Sequence, residues 1–181
     1  MPRLFIGLDI PPDMSERIHL LSGGIPGARW TSIENYHVTL TFIGDVSEAQ
    51  IDDIDEALAG IDCPEFELEI AGTGSFAQGD DPKVLWLGVK ENASLSLLKQ
   101  RIDNALDRYD IPFERRSRFT PHVTLARFRH HPEEDKIGAF MQAHNLFKLP
   151  PLAVEDFVLY ESYSGSEGPV YQPMEYYPLG G

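Results

Sequence analysis

The tetrapeptide His-Val-Thr-Leu occurs twice in this chain, at His37–Leu40 and at His122–Leu125. Each copy lies in an apolar run that alternates as a β-strand does, over residues 36–44 and 121–128. Successive side chains of a strand point to opposite faces, so the histidine and threonine of each copy share one face and the valine and leucine share the other. Because the apolar face packs inward, each strand is predicted to present an imidazole and a hydroxyl on its other face.

The repetition constrains the whole fold. Two equivalent strands in the two halves of the chain predict an internal duplication within one domain of residues 1–181, with the motifs at 37–40 and 122–125. If the two strands lie together, one cleft receives two histidines and two threonines. Such a cleft is suited to metal-free acid–base chemistry on a phosphate ester. The alternative is that His37 and His122 are structural and bond only to the backbone.

The rest of the chain alternates between strand and helix patterns. Strands are predicted at 3–10, 29–31, 65–71, 83–89, 153–161 and 169–174, and helices at about 12–21, 47–59, 92–109 and 132–144. The segment 72–76, Gly-Thr-Gly-Ser-Phe, lacks the spacing and the lysine of a phosphate-binding loop and is predicted to be a turn. This succession predicts an α+β fold built on antiparallel sheets.

Composition places the chain among ordinary globular domains. It has 181 residues, of which 42% are hydrophobic and 24% charged. The apolar stretches are only strand-length and the first residues lack a secretory pattern, so we expect no membrane span. The single cysteine, Cys63, cannot form an internal disulfide. A reducing, cytoplasmic location is therefore expected.

The charge distribution suggests what the chain binds. Its net charge of −14 argues against a protein that coats nucleic acid. Half of the ten arginines nevertheless surround the second motif, namely Arg115, Arg116, Arg118, Arg127 and Arg129. A basic island on an acidic body favours recognition of one phosphorylated end over a long duplex. The alternative is that these arginines pair with the abundant carboxylates.

At these residues the chain resembles a known family. The two motifs are the signature of the 2H phosphoesterases, and the chain resembles the RNA 2′,3′-cyclic phosphodiesterases, also called 2′-5′ RNA ligases. Similar segments extend over nearly the whole chain, including RLFIGLDIP, ARWTSIENYHVTLTFIGDV, KVLWLGV, RFTPHVTLARF and GPVYQP. The resemblance implies two lobes of antiparallel sheet with flanking helices, related by a pseudo-twofold axis around a central cleft. We expect a monomer without an obligate protein partner.

The resemblance also implies roles for the motif residues. His122 would act as proton acceptor and activate water, and His37 would act as proton donor to the leaving 3′-oxygen. The product would be a 2′-phosphomonoester. Thr39 and Thr124 would hold the phosphate oxygens. No cofactor and no metal are expected, because the chain has no metal-ligand spacing around the histidines. Ligation would be a weak side activity at most.

The candidate substrate-binding residues are Arg127, Tyr36 and Arg118. Arg127 lies at an odd offset from His122, so strand alternation puts it on the opposite face unless the strand ends or bulges around Ala126. Tyr36, Trp30 and Phe119 are aromatic candidates to stack on a terminal base. Phe42 shares the parity of Val38 and is predicted to lie in the core.

Three functions remain open at this point. The first is hydrolysis of RNA 2′,3′-cyclic phosphate ends. The second is hydrolysis of a small cyclic nucleotide by the same histidines. The third is a non-catalytic module that binds RNA ends or nucleotides, for which loss of a motif histidine or threonine would be typical; all four are present.

Overall fold

The structure, a computed structural model, describes residues 1–180 apart from the side chain at position 134. Ten strands form in the described residues, and they are β1 (Arg3–Asp9), β2 (Arg29–Trp30), β3 (His37–Asp45), β4 (Phe66–Leu68), β5 (Ile70–Gln78), β6 (Asp81–Val89), β7 (His122–Arg127), β8 (Leu152–Val154), β9 (Asp156–Gly165) and β10 (Gly168–Pro178). The same residues form four α-helices, α1 (Pro12–His19), α2 (Glu48–Ala59), α3 (Ala93–Arg108) and α4 (Glu134–His144), and a 3₁₀ turn at Ile33–Asn35.

The strands build one large antiparallel sheet with the two motif strands at its centre. Its order is β10-β9-β1-β3-β7-β6-β5, and β2 pairs with β7 beside this path. Strands β4 and β8 form a separate two-stranded sheet. Strands β3 and β7 are joined through a single pair, Val38 with Val123, so the sheet is divided there into two halves. The predicted α+β class with antiparallel sheets is confirmed.

The helices form where the apolar spacing predicts them. In α3, Leu95, Leu98, Ile102 and Leu106 recur on one face, and all four are buried. Helix α2 begins at a capping box in which the Ser47 hydroxyl accepts a hydrogen bond from the Gln50 N–H and the Gln50 side chain accepts one from the Ser47 N–H. The buried faces of these helices join the apolar face of the sheet in one hydrophobic core.

One local prediction is wrong. Residues 72–76 were expected to form a turn but lie within β5. Their glycines serve the sheet: a Cβ at Gly74 would lie 2.2 Å from the Trp86 ring. Gly72 has φ +76 at an irregularity of the β5–β6 register.

Candidate active site

The two His-Val-Thr-Leu motifs meet at the centre of the sheet and line one cleft. Val38 and Val123 pair there and are fully buried. His37, Thr39, His122 and Thr124 point the other way, into a cleft of about 1050 Å³. The predicted alternation within both motifs is therefore confirmed. Its volume is at the upper end of the range for small-molecule pockets, about 300–1,000 Å³.

A bulge at the leucine of each motif changes the alternation beyond it. The β1–β3 register skips Leu40, and the β6–β7 register skips Leu125. Each leucine and the residue after it are buried in succession, so the following side chains change face. Phe42 and Arg127, each five positions after a motif histidine, consequently line the cleft. The bulge that Arg127 required thus lies at Leu125, and the prediction of a core Phe42 is wrong.

Both histidines are oriented by the same backbone contact. Nδ1 of His37 lies 2.8 Å from the carbonyl oxygen of Asn35, and Nδ1 of His122 lies 2.8 Å from that of Thr120. A carbonyl oxygen can only accept, so Nδ1 carries the hydrogen in both rings. In the neutral form each Nε2 is then an unprotonated acceptor. The two rings thus offer the same nitrogen for proton transfer.

The two histidines differ in what Nε2 contacts. Nε2 of His37 lies 2.8 Å from the Thr39 hydroxyl, which donates to it because that nitrogen carries no hydrogen. Within the described residues, Nε2 of His122 has no hydrogen-bond partner. The Thr124 carbonyl accepts a hydrogen bond of 2.9 Å from the Thr31 hydroxyl, which attaches the second motif to β2. The site is therefore symmetric at Nδ1 and asymmetric at Nε2.

Aromatic rings enclose both imidazoles. The ring centroid of His37 lies 4.9 Å from that of Phe5, 5.0 Å from that of Tyr171 and 5.9 Å from that of Tyr160. Burial against these rings lowers the pKa of His37 to about 4. The ring of His122 lies 4.9 Å from that of Phe76. Burial lowers its pKa as well. Both imidazoles are consequently neutral near pH 7 in the free protein.

The cleft carries positive charge on an acidic chain. Six basic and three acidic side chains line it: Arg3, Arg29, Lys99, Arg115, Arg116 and Arg127, against Asp103, Glu114 and Glu167. Some of these charges are paired. The Lys99 ammonium lies 2.8 Å from the Asp103 carboxylate and 3.1 Å from the Thr41 hydroxyl, and Arg115 and Arg116 pair with Asp107 and Glu114. The cleft can attract an anion even though the whole chain is strongly negative.

Two predicted substrate-binding residues do not line the cleft. Tyr36 is only 3% exposed and lies in the core, because its parity is that of the inward-facing Val38. Its hydroxyl lies 3.4 Å from Nδ1 of His19. Arg118 is exposed on the 112–121 segment, which brings Arg115 and Arg116 to the cleft instead. Among the predicted aromatic candidates, Phe119 lines the cleft, whereas Trp30 borders it with its ring packed against the core residue Phe140.

Sequence reasoning missed Asn35, which connects the 3₁₀ turn to the β9–β10 hairpin. Its side-chain amide donates to the Pro169 carbonyl at 2.7 Å, and its side-chain oxygen accepts from the Tyr171 N–H at 3.4 Å. The Asn35 carbonyl is also the acceptor for Nδ1 of His37. One buried residue thus orients His37 and holds the ring that packs against it. Its position two residues before the motif histidine was the available signal.

An α+β fold that brings two His-x-Thr motifs into one cleft is the arrangement of a 2H phosphoesterase. The model of the LigT-like phosphoesterase family matches residues 8–86 and again residues 87–171. The chain therefore belongs to this family, and it is an enzyme of the phosphoesterase class. Within residues 1–180 no helix is long and apolar enough to cross a membrane.

Curated relatives and solved structures agree with this assignment. An RNA 2′,3′-cyclic phosphodiesterase of Thermotoga maritima is 34% identical over 95% of this chain and 92% of its own length. One of Archaeoglobus fulgidus is 28% identical over 95% of this chain and 97% of its own. The structure of E. coli LigT complexed with 3′-AMP has a TM-score of 0.78 and 26% identity, with 99% of both chains covered.

Proposed function

We propose that this chain hydrolyses RNA 2′,3′-cyclic phosphate ends to 2′-phosphomonoesters by two-histidine acid–base catalysis without a metal. The observation that carries the proposal is the shared orientation of the two imidazoles. Each is fixed through Nδ1 by a backbone carbonyl at 2.8 Å and offers Nε2 to the same cleft. The names of the relatives support the substrate class.

The chemistry needs one proton acceptor and one proton donor. Water must lose a proton as it attacks phosphorus, and the leaving 3′-oxygen must gain one as its bond to phosphorus breaks. We assign His122 as the acceptor and His37 as the donor, following the family resemblance. Nε2 of His122 is suited to accept because it has no hydrogen-bond partner in the described part of the chain.

The donor role of His37 requires its protonation when substrate is bound. Its pKa of about 4 makes it neutral in the free protein, because burial disfavours the charged ring. The negative charge of a bound cyclic phosphate favours imidazolium and raises that pKa. The substrate itself thus supplies the charge that the donor needs. Once Nε2 of His37 carries a proton, the Thr39 hydroxyl can no longer donate to that nitrogen. The hydroxyl of Thr39 can then donate its hydrogen to a non-bridging phosphate oxygen.

Thr39, Thr124 and Arg127 complete the proposed phosphate site. The two hydroxyls lie on the cleft side of their motifs and can donate to the non-bridging oxygens, on which charge accumulates. Arg127 lines the same cleft as both imidazoles, and its charge adds to burial in lowering their pKa values. Its guanidinium can therefore neutralise an anion held between the rings.

The lining of the cleft favours an RNA end over a small cyclic nucleotide. Its volume of about 1050 Å³ is at the upper end of the range for ligand pockets. Phe42 and Phe119 lie along it and can stack on bases. A substrate with more than one nucleotide uses this extra surface.

The test compares turnover of an oligoribonucleotide that ends in a 2′,3′-cyclic phosphate, measured in EDTA. His37→Ala and His122→Ala should each lose about a hundredfold or more, which is the scale for removing a general acid or base. His130→Ala, which removes an exposed imidazole outside the cleft, is the matched control. Near-normal turnover in either motif variant, or activity only with an added divalent ion, would refute the proposal.

A further inference from the structure

Two arginines that line the catalytic cleft lie directly opposite each other on neighbouring strands. Strand β2 pairs antiparallel with β7, and the register joins Arg29 to Arg127. Directly opposite residues of an antiparallel pair have their side chains on the same face, with Cα atoms about 4.5–5.5 Å apart. Both side chains line the cleft. The two arginine side chains therefore leave the sheet from adjacent backbone positions on the face that receives substrate.

The backbone fixes this arrangement. The Thr31 N–H donates to the Leu125 carbonyl at 2.8 Å, and the Thr31 hydroxyl donates to the Thr124 carbonyl at 2.9 Å. These bonds attach β2 to the second motif just after the catalytic threonine. The bulge at Leu125 turns Arg127 to the cleft, so its cross-strand neighbour Arg29 faces the cleft too.

The pairing is unfavourable without an anion. Like charges directly opposite on two strands repel each other. Among the described residues, neither Arg29 nor Arg127 has a carboxylate partner, whereas Arg115 and Arg116, on the same cleft, each pair with one. This acidic chain thus keeps two adjacent cleft arginines unneutralised. Guanidinium groups match phosphate by bidentate hydrogen bonding, and a bound phosphate would relieve the repulsion.

The two arginines are placed for different phosphates. Arg127 lies three residues after Thr124 on β7 and lines the cleft with both motifs, so we assign it to the reacting phosphate. Arg29 is one strand further from β6, on the two-residue strand β2, and lines the same cleft.

We propose that Arg29, held beside Arg127, binds a second phosphate of the substrate, the phosphodiester on the 5′ side of the terminal nucleotide. The proposal rests on the proposed function and makes the cleft selective for RNA ends over nucleoside cyclic monophosphates. Binding energy from this second phosphate adds to that of the reacting one, so it raises kcat/KM only for substrates that carry both.

The test compares two substrates, a nucleoside 2′,3′-cyclic phosphate and a dinucleotide that ends in the same group. The quantity measured is the ratio of their kcat/KM values in wild type, Arg29→Met and Arg129→Met. Methionine keeps much of the apolar stem of arginine and removes the charge. Arg129 is a matched control, because it is exposed and outside the cleft.

Arg29→Met should lower the dinucleotide preference about tenfold, the low end for one charged hydrogen bond. It should also reduce the log–log salt slope for the dinucleotide by about 0.7. Arg129→Met should change neither quantity. An unchanged ratio in Arg29→Met, or an equal loss on both substrates, would overturn the second-phosphate site. If wild type turns over neither substrate, the proposed function itself fails, which is a distinct result.

Discussion

Acidification should lower the free energy of unfolding because His37 is buried as a neutral imidazole. Replacement of His37 by glutamine should remove this part of the pH dependence. In the unfolded chain this imidazole titrates near pH 6.5. In the folded protein burial lowers its pKa to about 4. Between these values the unfolded state binds a proton that the folded state does not. Stability is therefore retained above pH 6.5 and lost as pH falls toward 4.

The magnitude follows from the two pKa values. Between about pH 7.5 and about pH 5.5 the unfolded imidazole takes up nearly one proton, while the folded one takes up almost none. The free energy of unfolding should therefore fall by about 1.4 kcal/mol through His37 alone. The lower pH stays above the pI of about 4.7, so the protein keeps a net negative charge in both measurements.

The assay is urea unfolding of wild type, His37→Gln and His130→Gln at the two pH values. Only the change between the two pH values is compared, so any loss of packing caused by glutamine cancels. The fall in the free energy of unfolding between the two pH values should be about 1.4 kcal/mol smaller in His37→Gln than in wild type. In His130→Gln, which replaces an exposed imidazole, this fall should equal that of wild type. Equal changes in wild type and His37→Gln would refute the burial argument.

Three further predictions concern catalysis. Because burial lowers both histidine pKa values in the free protein, the pH profile of kcat/KM should be bell-shaped with an optimum below about pH 6.5. The optimum of kcat should lie at higher pH, because bound substrate raises the pKa of His37. A kcat/KM optimum above pH 7 would contradict this prediction. Thr39→Ala and Thr124→Ala should each lower kcat by about tenfold to a hundredfold, measured at saturating substrate, with serine restoring most of it; full activity in the alanine variants would exclude both hydroxyls. Asn35→Ala should loosen the Tyr171 ring over His37 and move the acidic limb of kcat/KM upward, and an unchanged profile would limit Asn35 to a structural role.

The local pattern of the sequence predicted the parts of the fold that depend on local spacing. The alternation within each motif placed His37 and His122 on one face and their valines in the core. The helical spacing of leucines and isoleucine predicted the buried face of α3. Tyr36 could also have been placed correctly, because it has the parity of Val38. The monomeric state, the cytoplasmic location and the internal duplication stay predictions.

The predictions that proved wrong concern features that depend on neighbouring strands. The bulges at Leu40 and Leu125 bring Phe42 and Arg127 to the cleft, and a bulge is defined by the register with a neighbour that the sequence does not specify. The glycines of β5 are typical of a turn in the sequence. In the structure, however, position 74 is a glycine because the Trp86 ring leaves no room for a Cβ there. Arg29 and Lys99 reach the cleft from elements far from the second motif, so clustering along the chain could not reveal them.

The most direct test of the central claim identifies the product end. An oligoribonucleotide that ends in a 2′,3′-cyclic phosphate is incubated with the protein in EDTA, and the terminal phosphate is assigned by phosphorus NMR. The account predicts a 2′-phosphomonoester, because the donor histidine protonates the 3′-oxygen. A 3′-phosphomonoester would contradict the assigned geometry, and an intact cyclic phosphate would contradict the proposed function.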